Sequence, residues 1–360
     1  KEKDVRHALP YLAINLIGSA LFLCAGGIFY ALFGSLNFAD IAQLSAGYAN
    51  DPRLIVASLM LVLIFGLKAG FFPLYYWMPN SYPSLPTPLA AIFAGLLTKV
   101  GIYVIIRIFV TVLPHTLLAP HQFILILAVP TMIIGILSAL TQRTIRGVLC
   151  FNLVSHIGFM MVGIGILTEQ SIAASIFYMM HHVLVIASLF LITGVVYRIS
   201  GTDELESGGN IWKKAPWVGV LFLVQALALT GIPPLSGFWG KAMILQSAIE
   251  GSHWILVGSI VIASVLTLLS MIRIWFAFFW RDNPSTTLNL EGTGWKWMSL
   301  SAFALVLCTL VIGFAANPYI RLAQQASSSL FDRDLTINKV LSSPDIKSQS
   351  VHSESNGGHH

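Results

Sequence analysis

Charge is the first thing that this sequence lacks. Only 10% of its 360 residues are Asp, Glu, Lys or Arg, whereas soluble globular domains carry about 25%. Hydrophobic residues make up 56% of the chain, and they form continuous runs without the alternation of β-barrel strands. This composition excludes an ordinary soluble domain. It predicts an all-α, polytopic membrane protein whose basic residues belong to loops at helix ends and bind no nucleic acid.

Cysteine pairs, metal-ligand clusters and nucleotide motifs are also missing. The three cysteines, Cys24, Cys150 and Cys308, lie in or beside apolar runs without CxxC spacing, so neither a disulfide framework nor a metal site is indicated. No two histidines stand four residues apart beside a carboxylate, and no phosphate-binding glycine motif is present. We therefore predict no cofactor and no metal ion.

Nine apolar stretches are long enough to cross a bilayer, which takes roughly 20 residues of helix. We place them at about 11–33, 54–78, 88–112, 121–141, 145–167, 171–196, 216–248, 254–280 and 297–319. The start of the chain, KEKDVRHALP, shows no cleavage signal, so the first span is expected to stay in the membrane. We expect a transmembrane domain over 1–320 and a polar tail with little fixed structure over 321–360.

The distribution of positive charge predicts the orientation of these spans. Most loop cations lie on the side of the N-terminus: Lys1, Lys3, Arg6, Arg143, Arg146, Arg198, Lys213, Lys214, Arg281 and Lys296. The opposite loops before the tail carry only Arg53 and Arg107. Since loops rich in Lys and Arg stay in the cytoplasm, we expect a cytoplasmic N-terminus. Nine spans then place the C-terminal tail outside the cell.

Three lysines stand inside apolar spans, where charge is expensive. Lys68 and Lys99 lie roughly 21 Å and 16 Å from the start of their spans at 1.5 Å per residue, and Lys241 lies in the seventh span. A charged lysine at the bilayer centre costs about 2.5–3.5 kcal/mol, and these spans contain no Asp or Glu to pair with it. Because burial disfavours the charged form, such a lysine can take up and release a proton. The alternative is a lysine that only bonds carbonyl groups at a helix break.

Histidines extend this pattern of titratable groups. His156 lies in NLVSHIGFM, and His181 and His182 lie in FYMMHHVLVIASLF. Adjacent residues on a helix point about 100° apart, so His181 and His182 cannot line one path equally. We select His156 and His182 as proton-transfer residues beside the lysines, since histidine titrates near neutrality. A hydrogen-bonding role in the core is the alternative for each.

Prolines interrupt two of the spans beside a lysine. Lys68 precedes Pro73 in the second span, whereas Pro233 and Pro234 precede Lys241 in the seventh. Proline removes a backbone donor and opens the helix. Paired breaks in two halves of a chain indicate a transport site built from inverted repeats, and the reversed order of lysine and break fits that symmetry. Chance is the alternative, because proline is common in membrane helices.

Three segments carry a resemblance to a known superfamily: FGLKAGFFPLYYWMPNSYPSLPTPLAAIFAGLLTKVGIYVIIR (65–107), RTIRGVLCFNLVSHIGFMMVGIG (143–165) and ALALTGIPPLSGFWGKAMILQSA (226–248). They resemble the antiporter-type membrane subunits of Mrp-type cation/proton antiporters, NADH:quinone oxidoreductases and membrane-bound hydrogenases. Among these, the resemblance is greatest to the D-type subunits of Mrp antiporters, and it covers about residues 5–320. It implies a fourteen-helix fold with two inverted five-helix repeats and a broken helix in each.

The resemblance also implies roles. Lys68 and Lys241 match the lysines of the two broken helices, Lys99 in LLTKVG matches a lysine of the central hydrophilic axis, and His156 in SHIG lies between the two halves. Only nine of fourteen spans are present, without the preceding helix that bears the glutamate partner of the first lysine. We therefore expect an incomplete first repeat to about 112, followed by the second repeat and the C-terminal helices, in a fragment or half of a split subunit.

One helix departs from the superfamily pattern. His182 and Ile186 stand where many relatives carry an acidic residue and a lysine, so the axis is expected to run through histidine and water there. We interpret the chain as a subunit of a monovalent cation (Na⁺)/proton antiporter, a transporter and not an enzyme. It is expected to work with other subunits of a hetero-oligomeric complex in a bacterial plasma membrane. The alternatives are a proton-pumping subunit of a redox complex and a structural subunit that moves no ions.

Overall fold

The computed structural model describes residues 2–283, 288–290, 294–334 and 337, with side chains from Leu12 onward. The secondary-structure elements within these residues are all helices. The α-helices are α1 Glu2–Phe33, α2 Phe38–Leu44, α3 Pro52–Ala69, α4 Trp77–Ser81, α5 Thr87–Ile92, α6 Thr98–Ile106, α7 Leu118–Thr141, α8 Ile145–Ile166, α9 Glu169–Ser200, α10 Ile211–Lys214, α11 Pro216–Thr230, α12 Ser236–Glu250, α13 Trp254–Trp275, α14 Gly294–Phe314 and α15 Ala316–Phe331. Wider π-helical turns follow α5, α6 and α13, at Phe93–Leu97, Arg107–Val112 and Phe276–Trp280.

The predicted all-α membrane fold is confirmed. Eight helical segments among the described residues are long and apolar enough to cross a membrane, and the interrupted pair α11 and α12 supplies the ninth predicted span. Successive spans run in opposite directions. We call the end of the bundle where α1 begins the N-side, and the end where α14 finishes and α15 lies the C-side.

The predicted breaks lie after α3 and after α11, and both are built in the same way. Gly70 ends α3 at φ 82° and Gly231 ends α11 at φ 92°, a left-handed conformation that glycine adopts without strain. Pro73 follows the first glycine, and Pro233 and Pro234 follow the second, so neither helix can simply continue. The peptide bonds Phe72–Pro73 and Pro233–Pro234 are cis.

Residues 321–331, which the sequence assigns to a polar tail with little fixed structure, are helical in the structure. They belong to α15, which lies on the C-side with Ala323 and Ser327 buried, and the Ser327 hydroxyl donates to Glu169 O at 2.7 Å. Beyond the helix, Arg333 donates to Ala42 O at 2.7 Å. The segment is polar on average, but its small and apolar residues recur at helical spacing and cover one face. Residues 338–360 of the predicted tail lie outside the described residues.

α8 and α9 lie in the interior of the bundle, and α7 packs against α8. Of the eight spanning segments, α8 is the most enclosed. A Cβ atom at Gly158 would lie 2.8 Å from Met132 N and 2.9 Å from Ala128 O, so only glycine permits the observed approach of α8 to α7. Thr168 and Ser171 cap the start of α9 reciprocally. Close packing of α7 on α8 and the cap of α9 position the buried histidines of α8 and α9.

Arg146, at the start of α8, links the loop before α5 to the loop after α9 on the N-side. Its Nη1 donates to Pro83 O at 3.0 Å and Leu85 O at 3.3 Å, and its Nη2 donates to Thr87 Oγ1 at 3.0 Å. Its Nε lies 3.7 Å from an Asp203 carboxylate oxygen. Burial nevertheless raises the pKa of Asp203 above its usual value, more than the Arg146 charge lowers it. The bonds from Arg146 to the loop at 83–87 therefore matter more than its ion pair.

Replacing Arg146 with Ala should lower the free energy of unfolding by about 2 kcal/mol, because two partly buried carbonyls lose a charged donor. Asp203→Asn is the matched control and should change stability little, since it also removes the cost of burying the carboxylate. Thermal unfolding of the purified protein in detergent measures both. Equal melting temperatures for Arg146→Ala and the unchanged protein would contradict this role.

Candidate functional site

Lys241 is buried at the second helix break without a carboxylate partner in the part of the chain that the structure describes. Its Nζ donates to Thr230 O, the last carbonyl of α11, at 2.9 Å, and lies 4.7 Å from the centroid of the Phe159 ring. A carbonyl at a helix C-terminus has no partner within the helix and carries the negative end of its dipole. The break and the aromatic face together stabilise a cation at this position.

Lys99 is held in a similar way at a different irregularity. It is only 4% exposed, and its Nζ donates to Ala94 O at 2.7 Å. Ala94 lies in the π turn Phe93–Leu97 that directly precedes α6. Long helical side chains point back toward the N-terminus, so the Lys99 ammonium reaches the carbonyl five residues earlier. Like Lys241, Lys99 therefore binds main-chain oxygen where the helix departs from regular geometry.

His156 and His182 lie between these lysines with their rings stacked. Both side chains are fully buried, and their ring centroids are 5.1 Å apart. The His156 ring also stacks on the Phe159 ring, with centroids 5.4 Å apart. The Phe159 ring contacts Lys241 Nζ, so it lies between His156 and Lys241. The charges of Lys99 and Lys241 both act on the two histidines. The structure thus brings Lys99, His182, His156 and Lys241, four of the five predicted proton-transfer residues, into one cluster.

The cluster consists of basic groups, and no acidic side chain lies buried with them in the described part of the chain. No Asp or Glu appears among the buried side chains of the described residues. The ion pairs seen there, Arg53–Asp51, Arg146–Asp203 and Lys213–Asp282, do not include any of the three membrane lysines. No group of three or more His, Cys, Asp or Glu side chains in the described ranges is arranged to hold a metal ion. The side chains that meet here are two primary amines and two imidazoles, groups that can exchange protons between nitrogen atoms.

Several ring nitrogens in the cluster have no protein partner for hydrogen bonding. Among the described residues these are His156 Nε2, both ring nitrogens of His182 and Nε2 of the neighbouring His181. Buried polar groups are normally satisfied by protein or by ordered water. The histidine cluster is therefore suited to a hydrogen-bonded chain that includes water.

Lys68 lies outside this cluster. It is exposed on the surface of the chain, in the last turn of α3, and lines a cavity of about 280 Å³ together with Asn15 of α1 and Trp77. Its position is still comparable to that of Lys241. Lys68 lies in the last turn of α3, before the first break, and the Lys241 ammonium binds the last carbonyl of α11, before the second break. The sequence predicts both lysines but does not reveal that one is buried and the other exposed.

Three polar residues near the break were not selected from the sequence. The Tyr178 hydroxyl is hydrogen-bonded to His156 Nδ1, and His181 Nδ1 lies 2.8 Å from Ser236 Oγ. Tyr178 lies four residues before His182 on α9, and this spacing places both on one helix face, a signal that was available. Ser236 had a weaker signal, since it follows the double proline directly in PPLSG.

Comparisons with known proteins place these features in a family. A family model described as NADH:quinone oxidoreductase/Mrp antiporter, TM matches residues 1–267. The D subunit of the Na⁺/H⁺ antiporter of Alkalihalophilus pseudofirmus is 37% identical over 338 residues, which cover 94% of this chain and 68% of that protein. The corresponding protein of Bacillus subtilis is 33% identical over 341 residues, with coverage of 94% and 68%.

A solved structure agrees with the sequence comparisons. One chain of the Mrp complex from a Dietzia species superposes with a TM-score of 0.87 at 27% identity, over 94% of this chain and 70% of that chain. The similarity thus extends across the helices that hold Lys99, His156, His182 and Lys241. This chain belongs to the family of NADH:quinone oxidoreductase and Mrp antiporter membrane subunits.

Proposed function

We propose that this chain is a subunit of a bacterial Na⁺/H⁺ antiporter and that protons pass between Lys99 and Lys241 through His182 and His156. The observation that carries the proposal is a stacked histidine pair between two buried lysines that lack buried acidic partners among the described residues. The relatives named as Na⁺/H⁺ antiporter subunits support the choice of ions. The multi-subunit Mrp complex supports a hetero-oligomeric assembly.

Mutual repulsion of positive charges would drive each transfer. His156 stacks on His182 and on the Phe159 ring that Lys241 contacts, and an imidazolium close to ammonium groups is unfavourable because like charges repel. His182 can accept a proton on one ring nitrogen once a neighbouring lysine has become neutral and release a proton from the other, since neither nitrogen has a protein partner among the described residues. The Tyr178 hydroxyl occupies His156 Nδ1, which leaves Nε2 of that ring for exchange. Each step moves one proton from an N–H group to a nitrogen lone pair.

Lys68 has a separate part in this proposal. A charged lysine facing lipid is costly, so in the assembled complex we expect another helix or subunit, or water, to cover its cavity. Residues to about 112 would form the incomplete first repeat, and the remaining helices the second repeat and C-terminal part. Lys68 would then act at the break of the first repeat as Lys241 acts at the break of the second.

If Lys241 carries protons, its ammonium group must be able to lose a proton. Lys241→Arg keeps a cation near Thr230 O but cannot deprotonate in proteins, so cation-dependent proton exchange should fall by roughly 100-fold. Lys213→Arg, at the exposed ion pair with Asp282, is the matched control and should leave exchange unchanged. Proton release on addition of Na⁺ to inverted vesicles, with the whole complex expressed in an antiporter-deficient cell, measures both.

The same assay separates the alternatives. Exchange that persists in Lys241→Arg would show that Lys241 only fills a structural position. Proton movement that does not depend on Na⁺ but requires electron transfer would favour a redox-driven pump, the other branch of this family. A complex that moves ions equally well after removal of this chain would make the chain a structural subunit.

The proposed orientation has its own test. With a cytoplasmic N-terminus, the exposed α15 residue Gln325 lies outside the cell and the exposed N-side residue Lys214 lies inside. In a background without Cys24, Cys150 and Cys308, an impermeant maleimide should label Gln325→Cys but not Lys214→Cys in intact cells. Inverted vesicles should give the reverse pattern. Labelling of Lys214→Cys alone in intact cells would overturn the orientation.

A further inference from the structure

His181 is a buried titratable residue that the pathway through His182 leaves unused. It is 1% exposed, and it turns away from His156 toward the second helix break. Its Nδ1 lies 2.8 Å from the hydroxyl of Ser236, the first residue of α12. Its Nε2 has no hydrogen-bond partner among the described residues and would lie 3.0 Å from a Cβ atom at Gly237. His181 is therefore packed directly against the first turn of α12.

Lys241 and His181 contact opposite ends of the break between α11 and α12. Lys241 bonds the last carbonyl of α11, whereas His181 bonds the first side chain of α12. A Cβ atom at Gly231 would lie 2.9 Å from Lys241 Cδ and 3.5 Å from Gly237 O. The stem of the lysine and the ring of the histidine thus both lie against the short stretch between Gly231 and Gly237. The charge of Lys241 also acts on the His181 ring.

We propose that His181 is a second proton acceptor for Lys241, in a branch that begins at the helix break. The inference rests on the proposed function, because it takes Lys241 as a proton carrier. The accepting tautomer has Nδ1–H donating to Ser236 Oγ and a lone pair on Nε2. An N–H bond of the Lys241 ammonium breaks and an N–H bond forms at Nε2, with water carrying the proton between them, because Nε2 has no hydrogen-bond partner among the described residues. The Ser236 hydrogen bond is kept in both states and fixes the ring.

The surroundings make the protonated state of His181 short-lived. The N-terminal end of α12 carries the positive end of a helix dipole, which disfavours a cation beside Ser236. The titratable groups around His181 are Lys241 from α12, His156 from α8, and Tyr178 and His182 on α9. A proton on His181 is favourable only while Lys241 is neutral. His181 thus holds a proton only transiently and gives it back from Nε2 through the same water.

A glutamine at position 181 separates proton transfer from hydrogen bonding. His181→Gln retains groups that can bond Ser236 but cannot take up a proton at physiological pH. In inverted vesicles that contain the whole complex, we expect Na⁺-dependent proton exchange to fall about tenfold, with a changed pH profile. Ser175→Ala is the matched control on α9, since Ser175 is buried and its hydroxyl donates to Met160 O at 2.9 Å. It should leave rate and pH profile unchanged.

The outcomes distinguish this inference from the proposed function. Native rate and pH profile in His181→Gln, with exchange lost in Lys241→Arg, overturn the inference alone. An equal loss in Ser175→Ala also overturns it, because α9 would then be sensitive to any change. Absence of exchange in the native complex overturns both. If His181→Gln fails to assemble, Ser236→Ala decides: it should shift the pH optimum by freeing the ring, and an unchanged profile overturns the inference.

Discussion

The cost of an ammonium group buried in a membrane governs the architecture of this chain. Lys99 and Lys241 meet that cost without buried acids among the described residues, because each bonds a main-chain carbonyl. Inside a regular helix each carbonyl already accepts a backbone N–H, so it has less capacity left to bind an ammonium group than a carbonyl without a backbone partner. The π turn before α6 and the break after α11 present accessible carbonyls where the lysines reach them. The helix irregularities and the charges are therefore parts of one arrangement.

A charge stabilised by neutral dipoles is easier to move than one locked in an ion pair. Removing a proton from a lysine that is paired with a carboxylate leaves an unpaired buried anion, whereas removal from a carbonyl-bound lysine leaves only neutral groups. The histidine pair between the lysines adds neutral groups that accept protons and carry ring nitrogens without protein partners. Close packing of α7 against α8 at Gly158 excludes lipid from this region. Polarity and rigidity are thus combined in the same place.

Both ends of the bundle are fixed by contacts between segments distant in sequence. On the N-side, Arg146 binds the loop before α5 and lies beside Asp203 in the loop after α9. On the C-side, α15 covers the start of α9 through Ser327, and Arg333 reaches α2 through Ala42 O. The helix breaks therefore lie between two anchored ends. This arrangement lets the unwound segment at Gly231–Leu235 bear titratable groups while the surrounding bundle keeps its shape.

The sequence by itself determined the membrane class, the approximate limits of the nine spans, the two breaks and the identity of the membrane lysines. These features depend on local properties, namely runs of apolar residues, Gly and Pro signals, and isolated charges. Only the tertiary structure decided that Lys68 is exposed while Lys99 and Lys241 are buried, and that His182 faces His156 while His181 faces Ser236. It also decided that the polar segment through Phe331 folds as α15. The rotation of a helix about its axis and the surface that covers it are set by packing against distant segments, which an almost uniformly apolar sequence does not specify.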